Sequence, residues 1–504
     1  MPSNSIPSNW ISRIVGYTNT RGNFQTVSPN LPQSIALFGE ANDANQTGLD
    51  LTPTEVTTSQ QVGQKYGYGS PLHIMARILL PSSNNGVSGI PVTIYPQLKA
   101  VSSAAKEYSI TPTGTATANG THYIKIAGRN GLDGQFYAVN IEIGDTVTTL
   151  CSKISDSINA VLGCPFTAFS EGDDAFLTAK WSGLTSNDLT VSVDTQGKAL
   201  GFTYVVASEQ NGAGTPSIAS SLTFDNIWHT IVVNPYAGST TVMDALEAYN
   251  GLPNDTNPTG RFRGDIFKPF IAITGSVDDD PSTITSARLD NCTIAIAPAP
   301  NSLGLPMEAS ANMTVLFANL SQNTPDLDVG GLTYPDMPTP TSAGTMQTAA
   351  NRNTLVQMGT STADVINGKY RVQDFVTTYA PIGENPPQYR YCRNLMLDFN
   401  VRFSYMLLEE LYVIGAVIAN DDDVVLSSKV IKPKTWKGKV SDLADQLVQR
   451  GLLVDSKFMK DGIVVNISTV NPDRLETFFP YKRSGVARIA STTAQAGFNF
   501  GTLS

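Results

Sequence analysis

Two changes of texture constrain this chain more than any single motif does. Residues 31–100 and 213–365 alternate short apolar runs with amphipathic segments, whereas the stretch between them, 101–212, is rich in Thr, Gly, Ser and Val. Strand, helix and strand in succession at these lengths imply a largely parallel sheet covered by helices. The period-two alternation of the middle stretch implies half-buried strands. An α/β central domain interrupted by a mostly-β insertion is therefore expected. At 504 residues the chain is too long for one hydrophobic core, and an α/β multidomain fold accommodates it. The expected division is an arm at 1–30, the central domain at 31–100 and 213–365, the insertion at 101–212, an α+β domain at 366–483 and a second arm at 484–504.

Local signals place the elements. In the first part of the central domain, the strand-like SIALFGEA and VTIYPQ flank the helix-like SPLHIMARILL, with Ser70 as N-cap and Pro71 in the first turn. The insertion carries THYIKIAG, FYAVNIEIG, AFLTAKWSG and LTVSVD as strands. It also carries one helix, TTLCSKISDSINAVL, capped by Asp145, Thr146 or Thr148, with Leu150, Ile154, Ile158 and Leu162 at four-residue spacing. NGAGTPS at 211–217 marks the exit. Strands TIVVNP, FIAITG and CTIAIAPAP then alternate with helices expected at 240–250, 282–288 and 306–320. The α+β region opens on a strand at 369–379 and continues into a long helix through Leu395, Phe399, Phe403, Met406 and Leu407. A second helix, SDLADQLVQRG, is expected with Ser441 as cap and Gly451 as stop, followed by the strands DGIVVNISTV and RLETFFP.

The two ends cannot build cores of their own. Residues 1–30 hold Ser, Asn and Pro around one apolar stretch containing Trp10, Ile11, Ile14 and Val15. Residues 484–504 carry Val486, Arg488, Ile489, Phe498 and Phe500 with no packing partner nearby in sequence. Such segments gain backbone hydrogen bonds and apolar burial together by adding to a sheet edge of another subunit.

Charge narrows the partners. A net charge of −10 and a pI near 4.9 argue against nucleic acid as the principal partner, because phosphate binding needs a clustered basic surface. The charge is uneven: 16 basic and 29 acidic residues up to 365, against 17 and 14 from 366 on. The basic excess gathers in SSKVIKPKTWKGK, with Lys429, Lys432, Lys434, Lys437 and Lys439, and Arg450 follows at the end of the next helix. A solvated face, a site for an acidic protein surface and a nucleic-acid site are the readings of that run. No run of 18 apolar residues and no signal-like start occur, so a soluble protein made in the cytosol, without membrane insertion, is expected.

No constellation for chemistry coheres. His73, His122 and His229 lie in no metal spacing, and neither GxSxG nor a phosphate-loop motif occurs. The Gly clusters GVSG (86–89) and GRNGLDG (128–134) read as turns. Cys151, Cys164, Cys292 and Cys392 are too scattered for a disulfide framework and form no CxxC. The acidic triplets Asp278–Asp280 and Asp421–Asp423 suit a divalent cation in principle, or a helix start and a connecting loop. No catalytic, cofactor or metal residue is assigned, and a self-assembling structural protein is expected instead of an enzyme.

One resemblance bears on that expectation. The segment from Val424 to Pro480 resembles the C-terminal signature of contractile phage tail sheath proteins, specifically the branch similar to the phage Mu sheath. Its parts are Lys432 to Lys434 before a helix, Gly451 to Val454, Phe458 to Ile463, and Asn471 to Leu475 leading into the final strand. TIAIAPAPNSLGLPMEASANMTVLFAN, the PDMPTPTSAGTMQ stretch and RVQDFVTTY resemble the family's central domain running into its C-terminal one. The loop at Asp421–Asp423 and Val424 departs from relatives, which tend to be glycine-rich there. The resemblance implies a subtilisin-like but non-catalytic central fold, and stacked hexameric rings of this chain around a tail tube. It implies exchanged N- and C-terminal strand arms, an outward insertion and a C-terminal domain facing the tube, so that the basic residues become tube-facing candidates. Baseplate and tail terminator or collar proteins would be further partners. The setting would be the virion tail, assembled in the bacterial host cytoplasm, with contraction driving the tube through the envelope for genome ejection. Another self-assembling virion or surface protein is the alternative.

Overall fold

The computed structural model describes residues 29–498 apart from 84, 88, 127–135, 255, 341–347 and 385–386. The N-terminal arm residues Trp10, Ile11, Ile14 and Val15, together with Phe500 and the GRNGLDG turn, lie outside the described residues. Two compact units divide the chain. Of the described residues, those within 30–403, 451–454 and 481–498 make up the larger, and Pro29 with those within 404–450 and 455–480 the smaller.

In the larger unit the central sheet begins with β1 (Ile35–Glu40), β2 (Thr54–Val56) and β3 (Val92–Gln97), with α1 (Ser59–Tyr66) and α2 (Pro71–Leu79) between them. Every residue of β1 is buried, as befits a strand covered on both faces. Its side chains part by period two: Ile35 and Leu37 pack with α1 and α2, while Ala36 and Phe38 enter a second cluster. Ser70 caps α2 by accepting from the His73 amide, with Pro71 in the first turn, as expected.

The insertion leaves after β3. β4 (Ala105–Gly114), β5 (Gly120–Ile126), β6 (Phe136–Ile141), β7 (Phe166–Glu171), β8 (Asp174–Ser182), β9 (Val191–Asp194) and β10 (Phe202–Gln210) form two antiparallel sheets. Their orders are β10-β4-β8-β7 and β6-β5-β9. α3 (Val147–Asn159) is capped by Thr146 and buries Leu150, Ile154 and Ile158. Leu162 departs from the expectation: the helix ends before it and it is exposed.

The chain returns as β11 (Ile231–Asn234), β12 (Ile271–Ser276) and β13 (Ile294–Pro298), separated by α4 (Thr240–Asn250) and the single turn α5 (Ser282–Thr285). The sheet order β13-β12-β11-β1-β3-β2 is parallel throughout except at β2. α6 (Pro306–Asn323) is buried along much of its length. It approaches β12 so closely that a Cβ on Gly275 would stand 1.7 Å from the Pro306 carbonyl. α7 (Ala349–Gln357) precedes the hairpin of β14 (Thr362–Ile366) and β15 (Lys369–Asp374). Asn367 and Gly368 both take positive φ there, the backbone a two-residue type I′ turn demands. α8 (Cys392–Tyr412) begins in this unit.

The smaller unit contains the last turns of α8, the parallel pair β16 (Val417–Ile418) and β17 (Val430–Ile431), and α9 (Pro433–Gln449). β18 (Leu453–Val454) belongs to the larger unit. α10 (Ser456–Gly462) and the antiparallel β19 (Val464–Ile467) and β20 (Leu475–Phe478) complete the smaller one. Its core is Ile431, Trp436, Val440 and Ile463. Tyr405 meets the Trp436 ring edge-on at 5.9 Å and stacks on Phe479 at 6.1 Å. β21 (Lys482–Arg483) pairs with β18 in the larger unit.

One expected helix start is corrected. α9 begins at Pro433, so Ser441 sits inside it, donating to the Lys437 carbonyl at 2.8 Å. A serine in mid-helix satisfies its hydroxyl this way, and Pro433 was the stronger start signal. Gly451, at φ 71°, follows the helix end as expected.

Candidate assembly surfaces

The basic stretch is the start of α9 and the loop feeding it. A helix N-terminus presents unpaired N–H groups and positive potential, and this one has no acidic residue in its first turn and no cap from Lys432 itself. Asp421 supplies the missing acceptor, its carboxylate taking the Lys434 amide at 2.9 Å. Lys432 donates back to the carbonyls of Asp421, at 3.0 Å, and Asp423. The acidic triplet 421–423 is thus a connecting loop that caps the helix.

The other cations divide by role. Lys429 donates to the Ile414 carbonyl at 2.5 Å, Lys439 lies 4.7 Å from the Tyr412 ring centre, and Arg450 reaches the Ser404 hydroxyl at 3.5 Å. Lys434 and Lys437 are exposed. The exposed cations at the start of α9 are therefore Lys434 and Lys437, at a helix N-terminus whose capping loop carries the exposed Asp421–Asp423.

The second surface is the edge of the β19–β20 hairpin. Val464 lies opposite Phe478 in the ladder, and both face outward, 49% and 64% exposed. Among the described residues neither strand has a second neighbour. A hairpin with open edges and an apolar outer pair is a template for another strand.

The C-terminal arm residues follow the larger unit. Val486 and Arg488 are half-buried and Ile489 is 91% exposed, with Phe498 also on the surface. Among the described residues no strand ladder forms beyond Arg483. What sequence reasoning missed lies at the root of this arm. Arg483 makes a two-pronged pair with Asp398, at 2.7 and 2.6 Å. The cluster of Lys482, Arg483 and Arg488 near the end of the chain was the available signal.

The remaining candidates are structural. His229 is held between the Ser34 hydroxyl and the Tyr95 hydroxyl, each at 2.9 Å, and burial pushes its pKa down to about 4. His73 takes the Gly69 amide at 3.1 Å. His122 sits between the Tyr204 hydroxyl and the Lys198 carbonyl, at 2.5 and 2.6 Å. Asp280 accepts from the Ser282 amide at 3.0 Å, in the manner of a helix start. All four cysteines are buried. Among the described residues no group of three His, Cys, Asp or Glu is placed to hold a metal ion, and no helix is long and apolar enough to cross a membrane.

No protein-family profile matches the chain. Among solved structures, it is similar at 12% identity and TM-score 0.45 to a sheath tail protein from Desulfitobacterium hafniense, over 93% of this chain and 99% of that one. It is similar at 11% identity and TM-score 0.46 to a chain of the anti-feeding prophage helical sheath in the contracted state, over 97% of this chain and 99% of that one. In sequence it is 24% identical over 428 residues to the Mu-like prophage FluMu tail sheath protein of Haemophilus influenzae, 83% of this chain and 84% of that protein. The likeness to the Mu-type tail sheath branch, read from the C-terminal segment and the central strands, thus extends over most of the chain.

Proposed function

We propose that this chain is the structural subunit of a contractile tail sheath, working by polymerisation and not by catalysis. The observation that carries the reading is the sequence match to a tail sheath protein across 83% of the chain. A match confined to one domain would speak only for that domain. Spread over 83% of this chain and 84% of that protein, it exceeds any single domain expected here.

The subunit polymerises as stacked hexameric rings around a tail tube, with a non-catalytic subtilisin-like central domain and an insertion facing outward. Terminal arms, residues 1–30 and 484–504, add strands to neighbouring subunits. The β19–β20 hairpin, without a third strand among the described residues, supports this reading, since two strands alone are marginal and gain from a third. The basic stretch around Lys434 and Lys437 meets an acidic tube surface. The extended sheath is a metastable packing. On a signal from the baseplate, subunits rotate and move outward as near-rigid bodies while the arms stay paired. Packing supplies the free energy, and the tube is driven through the host envelope for genome ejection. Assembly takes place in the host cytoplasm, with a terminator or collar protein closing the sheath.

Deletion of residues 485–504 tests the arm's part in this. The truncated subunit should keep its circular dichroism spectrum yet fail to sediment as polymer. Polymer of normal length from the truncation would contradict the arm exchange.

A further inference from the structure

The last twenty-four residues are not one arm. Between Tyr481 and Arg488 the chain is fastened to the larger unit by three guanidinium groups. Arg483 grips Asp398 with both prongs, and its plane lies 5.4 Å from the Tyr389 ring centre. Arg393, itself buried in the first turn of α8, donates to the Ser484 carbonyl and hydroxyl, each at 2.7 Å. Arg488 pairs with Asp328 at 2.5 Å and lies 3.5 Å over the Tyr391 ring. These are shielded contacts: Asp328 and Asp398 side chains are 9% and 12% exposed. A planar, two-pronged or ring-stacked arginine holds geometry in a way a lysine does not. Immediately beyond, every residue from Ile489 to Phe498 is exposed.

We propose that Arg393, Arg483 and Arg488 form a clamp that keeps residues 481–488 on their own subunit, so that the segment offered to a second copy of this chain begins at Ile489 and pivots at the Arg488–Ile489 bond. The exchange itself rests on the function proposed above; the clamp does not. A fixed root defines where an arm leaves and how far it reaches, which sets the effective concentration of the strand at a neighbour's edge.

Trypsin reads the clamp directly. Arg488 is the last basic residue, so cleavage after it releases residues 489–504 as one peptide. In the purified full-length subunit, kept dilute and unassembled, mass spectrometry should show slow release of that peptide, and Asp328→Asn should speed it roughly tenfold, because cleavage follows the population of the opened state. Arg488→Lys keeps the trypsin site but loses the ring-stacked plane, and should also release faster. Wild-type cleavage at the rate of the denatured chain, or no acceleration in either variant, would overturn the clamp. A chain ending at Arg488 separates the two proposals. If it stays clamped at Arg483 and fails to polymerise, the pivot at Ile489 is supported, and polymerisation as efficient as that of the full chain would refute it. If the full chain never polymerises while the trypsin results hold, the sheath reading falls and the clamp stands.

Discussion

The central sheet and the β19–β20 hairpin solve the same problem in opposite ways. In β1, β11, β12 and β13 every residue is buried, so sheet, helices and both clusters form a finished interior. The hairpin alternates exposed and half-buried residues along both strands, and of its two outward pairs Val464–Phe478 is apolar and Asn466–Glu476 polar. A sealed sheet needs no partner. A sheet with two strands among the described residues and an apolar pair on its outer face gains from a further strand.

The comparison is sharpened first by truncating the smaller unit's central side chain. Trp436 is 1% exposed and donates to Thr477 of β20 at 2.9 Å. Trp436→Ala should cost about 3–5 kcal/mol and abolish hydrogen-exchange protection across α9, β19 and β20 while β1, β11 and β12 stay protected. Loss of protection throughout would break the distinction between a finished and an unfinished unit.

The finished interior carries a pH signature of its own. Glu40, at the end of β1, is 1% exposed, and burial pushes its carboxyl up to about 7 from an ordinary 4.5. Its folded pKa lies above the unfolded one, so its contribution is intact below pH 4.5 and lost as pH rises through 7. Glu40→Gln should therefore match the wild type in urea unfolding at pH 4 and exceed it by roughly 3 kcal/mol at pH 9. Equal stability at both pH values would show that the carboxyl is not sealed. His229 acts in the opposite sense: its depressed pKa makes its contribution intact above 6.5 and lost as pH falls through 4.

Smaller effects are expected at the open end. Asp421→Ala removes the acceptor for the Lys434 amide and should cost about 1 kcal/mol, as other helix caps do, seen as fraying of the first turn of α9 by hydrogen exchange. Lys437→Glu should change stability by less than about 0.5 kcal/mol. It should weaken co-sedimentation with the tube protein, more so at low salt, and unchanged co-sedimentation would make this residue part of a solvated face.

Where the cause is local, the sequence was readable. Ser70 with Pro71, the limits of α4, and the cap of α3 to within Asp145, Thr146 or Thr148 are visible because a cap and the helix it caps are neighbours in the chain. The start of α9 has a local signal too, Pro433, and only the acceptor that completes its cap, Asp421, stands 13 residues away. Asn367-Gly368 is a hairpin signal of the same local kind. The arginine contacts at the arm root were beyond reach, since Arg488 and Asp328 are 160 residues apart and Arg483 and Asp398 are 85 apart. Such pairs are created by the fold and leave no periodicity to read.

Electron microscopy of the purified full-length chain at rising concentration tests the central claim most directly. A sheath subunit should give hexameric rings or hollow, striated tubes, and a monodisperse monomer that persists at high concentration would contradict it.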